Sequence, residues 1–312
     1  MDISFAAGLS DWDRRQRLYR GEVFVLPPTP SSLEMVRFAR EIIEQAFAPL
    51  HPQTAQCELE VTEVVQILAR LKPQFIHHPH TRALLRSLLL ALGCDVHRTY
   101  QDVPRLRAAY PAAYLTSGIA YAHHPHRDTW YSAPPCQLNW WMPIYDFDAA
   151  QGMAFHPRYW DRPVLNGSGD FNYYRWNGEG RQNAARHITS DTRVQPRARE
   201  PIELEPAIRL VVPVGGIILF SADHLHSTVR NETALTRWSI DFRTINMDDL
   251  LAHRGAPVCD SACTGTSLRD FKRMDDFEPI PAEAAAMYDD GSTSDGVAVF
   301  APGATISEAT TP

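Results

Sequence analysis

From about Tyr114 onward the apolar residues stop recurring every third or fourth position, and short β-rich runs follow one another as far as Thr244 with turns rather than helices between them. Strands that follow strands without helical crossovers pair antiparallel, so an antiparallel barrel fits this half of the chain better than a parallel α/β sheet. Residues 115–121 are expected to form one strand and 136–145 the next, with Gln137, Asn139 and Trp141 on one face and Leu138, Trp140 and Met142 on the other. Strands resume over 208–214, turn at Gly215 and Gly216, and continue through Phe220. The last covers 237–244, where Arg237, Ser239 and Asp241 share the face opposite Trp238, Ile240 and Phe242. No internal repeat is visible.

The N-terminal third reads differently. After a proline-rich stretch, Thr29-Pro30-Ser31-Ser32 is a helix start, and Leu33, Val36, Ala39, Ile42, Ile43 and Ala46 recur at helical spacing. A second helix is expected over 58–71, stopped by Lys72-Pro73, and a third over 81–92, closed by Gly93. Their apolar stripes are scaffold that packs against a sheet.

A net charge of −7 argues against a nucleic-acid partner and against an anionic membrane surface. No run of 18 apolar residues occurs and the first residues lack a basic, apolar leader, so a cytoplasmic protein is expected. The five cysteines are odd in number and scattered, which does not suggest a disulfide framework. Cys259 and Cys263 have only His253 nearby and read as ordinary thiols rather than a zinc site. The sequence does not disclose an oligomeric state.

The chemistry lies in two stretches about a hundred residues apart, His126-Arg127-Asp128 and the run 216–239. Two imidazoles and a carboxylate are the facial triad that leaves positions open on a non-haem Fe(II). An H-x-D tripeptide alone is a weak signal. The distal run strengthens it: His226 stands six residues after Phe220, is followed by Ser227 and Asn231, and precedes Arg237-x-Ser239 by eleven. His224 competes for the same role, two residues earlier, and His123 and His124 flank the first motif.

Over about 115–241 the chain resembles the Fe(II)/2-oxoglutarate-dependent dioxygenases, in particular the phytanoyl-CoA dioxygenase-like superfamily, whose pattern of His-x-Asp, Phe, His-Ser, Asn and Arg-x-Ser is filled throughout. The resemblance implies a mainly β fold with helices, a double-stranded β-helix (jelly-roll or cupin-like) barrel with the N-terminal helices on its outer face. It implies Fe(II) held by His126, Asp128 and His226, with 2-oxoglutarate and O2 as cosubstrates. Oxidation of a small-molecule metabolite or natural-product intermediate would accompany conversion of 2-oxoglutarate to succinate and CO2. Arg237 would pair with the distal carboxylate of 2-oxoglutarate, helped by Ser239, while Gln137 and Asn139 would meet its other end. Asp128 stands where the resembled halogenases carry Gly or Ala, so hydroxylation, desaturation or ring closure is expected rather than halogenation.

Arg127, Trp130, Tyr131 and Trp141 adjoin the triad, and Tyr173 and Arg175 belong to a long aromatic insert at 150–205, so these are the candidate substrate-binding residues. The expected organisation is one domain over 1–281, comprising a helical scaffold at 30–105, a core at 110–245 and a wrap at 246–281 anchored by Leu250, Leu251, Leu268, Phe271 and Phe277. A mobile tail is expected over 282–312. Two rivals remain at this stage: a cupin-like metal enzyme that does not use 2-oxoglutarate, and a catalytically silent binding protein on the same fold.

Overall fold

The computed structural model describes residues 1–289 except 6–7, 112–113, 122–123, 181–183, 189 and the side chain of 179. In chain order the elements begin with β1 (Ile3–Ser4), α1 (Asp11–Leu18), β2 (Val23–Leu26), α2 (Pro30–Phe47), α3 (Val61–His77) and α4 (Pro79–Ala91). There follow β3 (Thr99–Gln101), β4 (Arg105–Ala109), β5 (Leu138–Pro143), β6 (Met153–Phe155), α5 (Tyr173–Arg175), β7 (Ile208–Arg209) and β8 (Ile217–Ser221). The last are β9 (His226–Thr228), β10 (Arg237–Asn246), α6 (Met247–Leu251), β11 (Lys272–Arg273) and α7 (Ala282–Ala286).

One sheet runs β1-β2-β8-β5-β10-β3-β11, with β4 also on β10, and a smaller one runs β7-β6-β9. All pairings are antiparallel except β1 with β2. This is the antiparallel arrangement expected from strands without crossovers and the jelly roll that the resemblance implies, with helices on one side. Alternation along β5, β8 and β10 sorts the side chains. Leu138, Trp140, Met142, Leu219, Trp238, Ile240 and Phe242 join the apolar faces of α2, α3 and α4 in one buried cluster. Trp141, Ile218 and Phe220 point the other way, where Phe155 of the smaller sheet closes on them. The polar face of β10 therefore turns inward, between the sheets.

Helix α2 starts as its residues dictate: Thr29 Oγ1 accepts the Ser32 N–H at 3.1 Å, Ser32 Oγ accepts the Thr29 N–H at 2.8 Å, and Pro30 occupies the first turn. Helix α3 departs from expectation by running through Pro73 to His77. A proline inside a helix costs about 3 kcal/mol. Continuing the helix buries Phe75 completely on the face already occupied by Leu71, and full burial of one such side chain is worth roughly 1.5–3 kcal/mol.

The strand expected over 115–121 does not form. Gly118 has φ +58° and begins a single 3-10 turn, Gly118–Ala120, and a Cβ there would lie 2.2 Å from the His187 carbonyl oxygen. Ser117 Oγ donates to the Ile188 carbonyl at 2.6 Å, which ties this segment to the insert rather than to a neighbouring strand. Several strands escaped the sequence reading, among them β1 and β2, which extend the large sheet, and β3 and β4, which line up along the free edge of β10. The insert also supplies β6, and the strand expected over 208–214 shrinks to β7. Among the C-terminal anchors Leu250, Leu268 and Phe271 are buried, Leu251 faces solvent, and Phe277 is half-buried beneath Arg82. The packed chain passes the boundary expected at 281, because Ala284, Ala285 and Ala286 of α7 are buried and Asp289 pairs with Arg269 at 2.9 Å. The rest of the expected tail lies outside the described residues.

Candidate metal centre and its cavities

His126 and His226 face each other as an isolated antiparallel bridge, each backbone N–H donating to the other's carbonyl at 3.0 Å. The Asp128 N–H donates to the Ala222 carbonyl at 2.9 Å. Main-chain hydrogen bonds thus join two stretches remote in sequence before any side chain is considered. Ligand atoms of His126, Asp128 and His226 then lie within 4.8 Å of one another, and His126 Nε2 is 3.3 Å from Asp128 Oδ1.

Both imidazoles are oriented in the same way. His126 Nδ1 is 2.8 Å from the His124 carbonyl and His226 Nδ1 is 2.9 Å from the His224 carbonyl. A carbonyl only accepts, so each Nδ1 carries a proton, which leaves Nε2 as the nitrogen that each ring can offer to a metal. Burial first, then the neighbouring His126, lowers His226 to about 3, so its ring is neutral at physiological pH. Burial pushes the Asp128 carboxyl up, but the charge of Arg243 and its contacts with the two histidines prevail and hold it well below the usual carboxylate range. The other Asp128 oxygen, Oδ2, is 3.4 Å from both Gln137 Nε2 and Arg243 Nε, and Arg243 also reaches Asp102 at 3.2 Å. Two imidazoles held by their Nδ1 atoms and an oriented carboxylate suit a divalent cation with open positions.

On β10, Arg237 and Ser239 are buried, and among the described residues the Nε and one terminal nitrogen of Arg237 and the hydroxyl of Ser239 have no hydrogen-bond partner. The guanidinium lies over the Trp141 ring at 5.3 Å, and burial lowers it to about 10. Leaving a charged donor buried and unpaired is expensive. Asp241, the nearest acid along the strand, is instead taken by Arg107 at 2.6 Å. An orphaned guanidinium beside an orphaned hydroxyl on one strand face is what a bidentate carboxylate ligand would complete.

Two cavities meet at the metal group. The first, about 270 Å³, is lined by Asn139, Trp141 and Arg237 together with His226. The second, about 310 Å³, is walled by Tyr131, Phe171, Tyr173, Trp176 and Phe271 and reaches Gln137. His126 and Asp128 belong to both.

Of the residues expected to bind substrate, Tyr131 and Tyr173 line the second cavity and Trp141 the first, under Arg237. The other three are corrected. Arg127 is fully buried and turned away: Nε meets Asp260 Oδ2 at 3.1 Å, and its terminal nitrogens donate to the carbonyls of Asp223, Tyr159 and Arg162. In an extended stretch alternate side chains face opposite ways, so His126 and Asp128 inward puts Arg127 outward. Trp130 is fully buried with Nε1 donating to Asp260 Oδ1 at 2.8 Å, and Arg175 faces solvent.

His224 is outside the metal group, with its ring 4.5 Å from that of Trp160. His124 accepts or donates toward the Tyr121 hydroxyl at 2.7 Å, and His123 lies outside the described residues. Sequence reasoning missed Lys72, Arg107, Phe171 and Phe271 as lining residues. Arg243 was within reach of it, since strand alternation puts Arg243 on the face of Arg237 and Ser239.

No protein-family model and no curated protein matches the chain. Solved structures similar to it include EvdO2 from Micromonospora carbonacea var. aurantiaca complexed with 2-oxoglutarate, at 15% identity and a TM-score of 0.44, covering 78% of this chain and 94% of that one. SnoK, a non-haem α-ketoglutarate-dependent carbocyclase from nogalamycin biosynthesis, shares 14% identity at a TM-score of 0.42, covering 79% and 88%. The epimerase SnoN, in complex with Fe3+, α-ketoglutarate and nogalamycin RO, shares 16% at 0.40, covering 84% and 98%. Likeness this distant transfers neither activity nor substrate, so the functional reading depends on the site itself.

Proposed function

We propose that this chain is a non-haem Fe(II)/2-oxoglutarate-dependent oxygenase that oxidises a small organic molecule. The observation that carries the reading is the buried Arg237, without a hydrogen-bond partner for two of its nitrogens among the described residues, in the wall of a cavity that also contains the His126, Asp128 and His226 group, with Ser239 two residues along the same strand face. Iron with 2-oxoglutarate and O2 bound supplies the oxidising chemistry, with 2-oxoglutarate leaving as succinate and CO2.

The protein's part is positioning and polarity. His126, Asp128 and His226 hold the cation, with Arg243 and Gln137 steering the carboxylate. Arg237 and Ser239 take the distal carboxylate of 2-oxoglutarate, and Asn139, on the same cavity wall, lies toward its other end. Tyr131, Phe171 and Trp176 keep water from the substrate side and give an apolar molecule a surface to lie on. Because Asp128 supplies a carboxylate ligand, the product gains one oxygen or loses two hydrogens, and turnover does not depend on halide.

A barrel enzyme that ignores 2-oxoglutarate has no use for a buried guanidinium left unpaired at its metal cavity, and a silent binding protein has none for two oriented imidazoles beside a carboxylate. Anaerobic titration with Fe(II) and 2-oxoglutarate, followed by a metabolite screen scored by succinate release, tests the reading. Binding of each and substrate-dependent succinate are expected. Failure of 2-oxoglutarate to bind the iron-loaded protein would leave the metal centre without its oxidant and sink the proposal.

A further inference from the structure

The two cavities share Lys72, Arg107, Ile119, His126, Asp128 and Arg243, so whatever crosses from the substrate side to the metal passes these groups. Four of the second cavity's five cations are already matched. Arg105 pairs with Asp102 at 2.5 Å, Arg107 with Asp241 at 2.6 Å, Arg193 with Asp191 at 2.5 Å, and Arg243 with Asp102 and Asp128. The fifth, Lys72, reaches in from α3 and donates to the Ile119 carbonyl. No carboxylate among the described residues lies within ion-pair distance of it.

An ammonium has three donors, and the Ile119 carbonyl takes one. The second cavity also has an aromatic wall: the Tyr131 and Phe171 rings are 5.1 Å apart and the Phe171 and Trp176 rings 5.9 Å, with the ion-paired Arg193 over the Trp176 ring at 4.9 Å. The Tyr173 hydroxyl is spent on Asp270 at 2.6 Å, so this wall presents mostly apolar surface. One unmatched cation answers one negative charge. A phosphate dianion would want a second, and the guanidinium groups of the second cavity are occupied.

We propose that the substrate is an organic acid whose carboxylate pairs with Lys72 at the junction of the cavities while its apolar body lies against Tyr131, Phe171, Trp176 and Phe271. This rests on the metal group marking the reacting end of the second cavity, as in the function proposed above. The carboxylate is then held beside the path to the metal, and the atoms of the body, rather than the acid group, meet the oxidant. Lys72 is in this account a specificity-determining residue. Burial and the neighbouring Arg107 on β4 lower its ammonium to about 7, against an opposing pull from Asp241 on β10, and an arriving carboxylate would favour its charged form.

The test needs neither turnover nor a known substrate. Metal-free protein in a chelating buffer is titrated with 3-phenylpropanoate, 4-hydroxyphenylacetate and indole-3-acetate and with the amide of each, followed by calorimetry. Removing metal prevents the acids from binding through iron. At least one acid should bind the wild type ten-fold or more tightly than its amide, Lys72→Met should abolish that preference, and Lys72→Arg should keep most of it. No acid preference in any of the three pairs, or a preference that survives in Lys72→Met, overturns the proposal. Thermal shifts with Fe(II) and 2-oxoglutarate, measured without oxygen, separate the two readings. A shift retained in Lys72→Met is expected. A shift missing from the wild type refutes the oxygenase reading instead, and a shift lost only in the variant assigns Lys72 to the cosubstrate and refutes this one.

Discussion

His126 and His226 exchange two backbone hydrogen bonds of 3.0 Å, and each sends its Nδ1 to the carbonyl two residues before it, so the two imidazoles are placed and polarised by the same device. Residues 224 and 124 contribute main-chain oxygen to that device, not a ligand. Alanine at His126, Asp128 or His226 is therefore expected to abolish iron retention and turnover, whereas His224→Ala keeps its carbonyl and should keep most of the iron. Metal analysis of the purified variants decides this. Iron retained by His226→Ala and lost by His224→Ala would reverse the assignment.

Arg237 is buried over Trp141 with donors unspent. Lysine or glutamine there removes the bidentate partner of one carboxylate. Hydrogen bonds to charged groups are worth about 1.5–3 kcal/mol, so the KM for 2-oxoglutarate should rise roughly ten- to hundredfold. The substrate KM should change far less. Steady-state kinetics with each varied in turn distinguish the two.

Arg243 touches no expected ligand other than Asp128, whose Oδ2 it meets at 3.4 Å. Removal of a group that orients a metal-bound carboxylate costs on the order of 10–100-fold in metal affinity or activity. Arg243→Met should weaken iron binding on that scale with the KM for 2-oxoglutarate little altered, the opposite pattern to Arg237. A change in the cosubstrate KM alone would move Arg243 into the 2-oxoglutarate site.

The Arg127 guanidinium is wholly buried among Asp260 and the carbonyls of Asp223, Tyr159 and Arg162. Cutting out one partner of a buried ionic network costs about 3–5 kcal/mol. Arg127→Met should accordingly lower the melting temperature sharply. If soluble protein survives with wild-type stability and a raised substrate KM, Arg127 contacts substrate after all.

Lys72 carries a pH signature. Its folded value is about 7, lowered by burial and then by Arg107, against the ordinary 10.5. Folding therefore disfavours its charged form, a penalty fully present below pH 7 that fades as pH rises toward 10.5. In ligand-free protein, Lys72→Met should be more stable than wild type at neutral pH, by about 2–4 kcal/mol, and the gap should narrow toward pH 10. Denaturant titrations of both proteins across that range measure it. A gap independent of pH would mean that Lys72 is not desolvated.

Much of this molecule can be read from local pattern. Alternation in 136–145 and 237–244 assigns the inner and outer faces that β5 and β10 display, because the two-residue period of a strand depends only on sequence. The cap at Thr29 and the helical stripe through Phe47 follow in the same way. The spacing from Phe220 to Ser239 selects His226 over His224 through the resembled motif, which counts residues along one continuous run of chain. Tertiary structure decided the rest. Whether Pro73 ends a helix depends on what Phe75 buries, and whether 115–121 is a strand depends on the carbonyl of His187 against Gly118. Arg127, Trp130 and Arg175 look like binding residues in one dimension. The first two are spent on Asp260, more than a hundred residues away, and the third faces water. That Lys72 stands at the meeting of two cavities, with no carboxylate in ion-pair distance among the described residues, follows from α3 lying beside β4, and pairings at such separations leave no periodic trace in the chain.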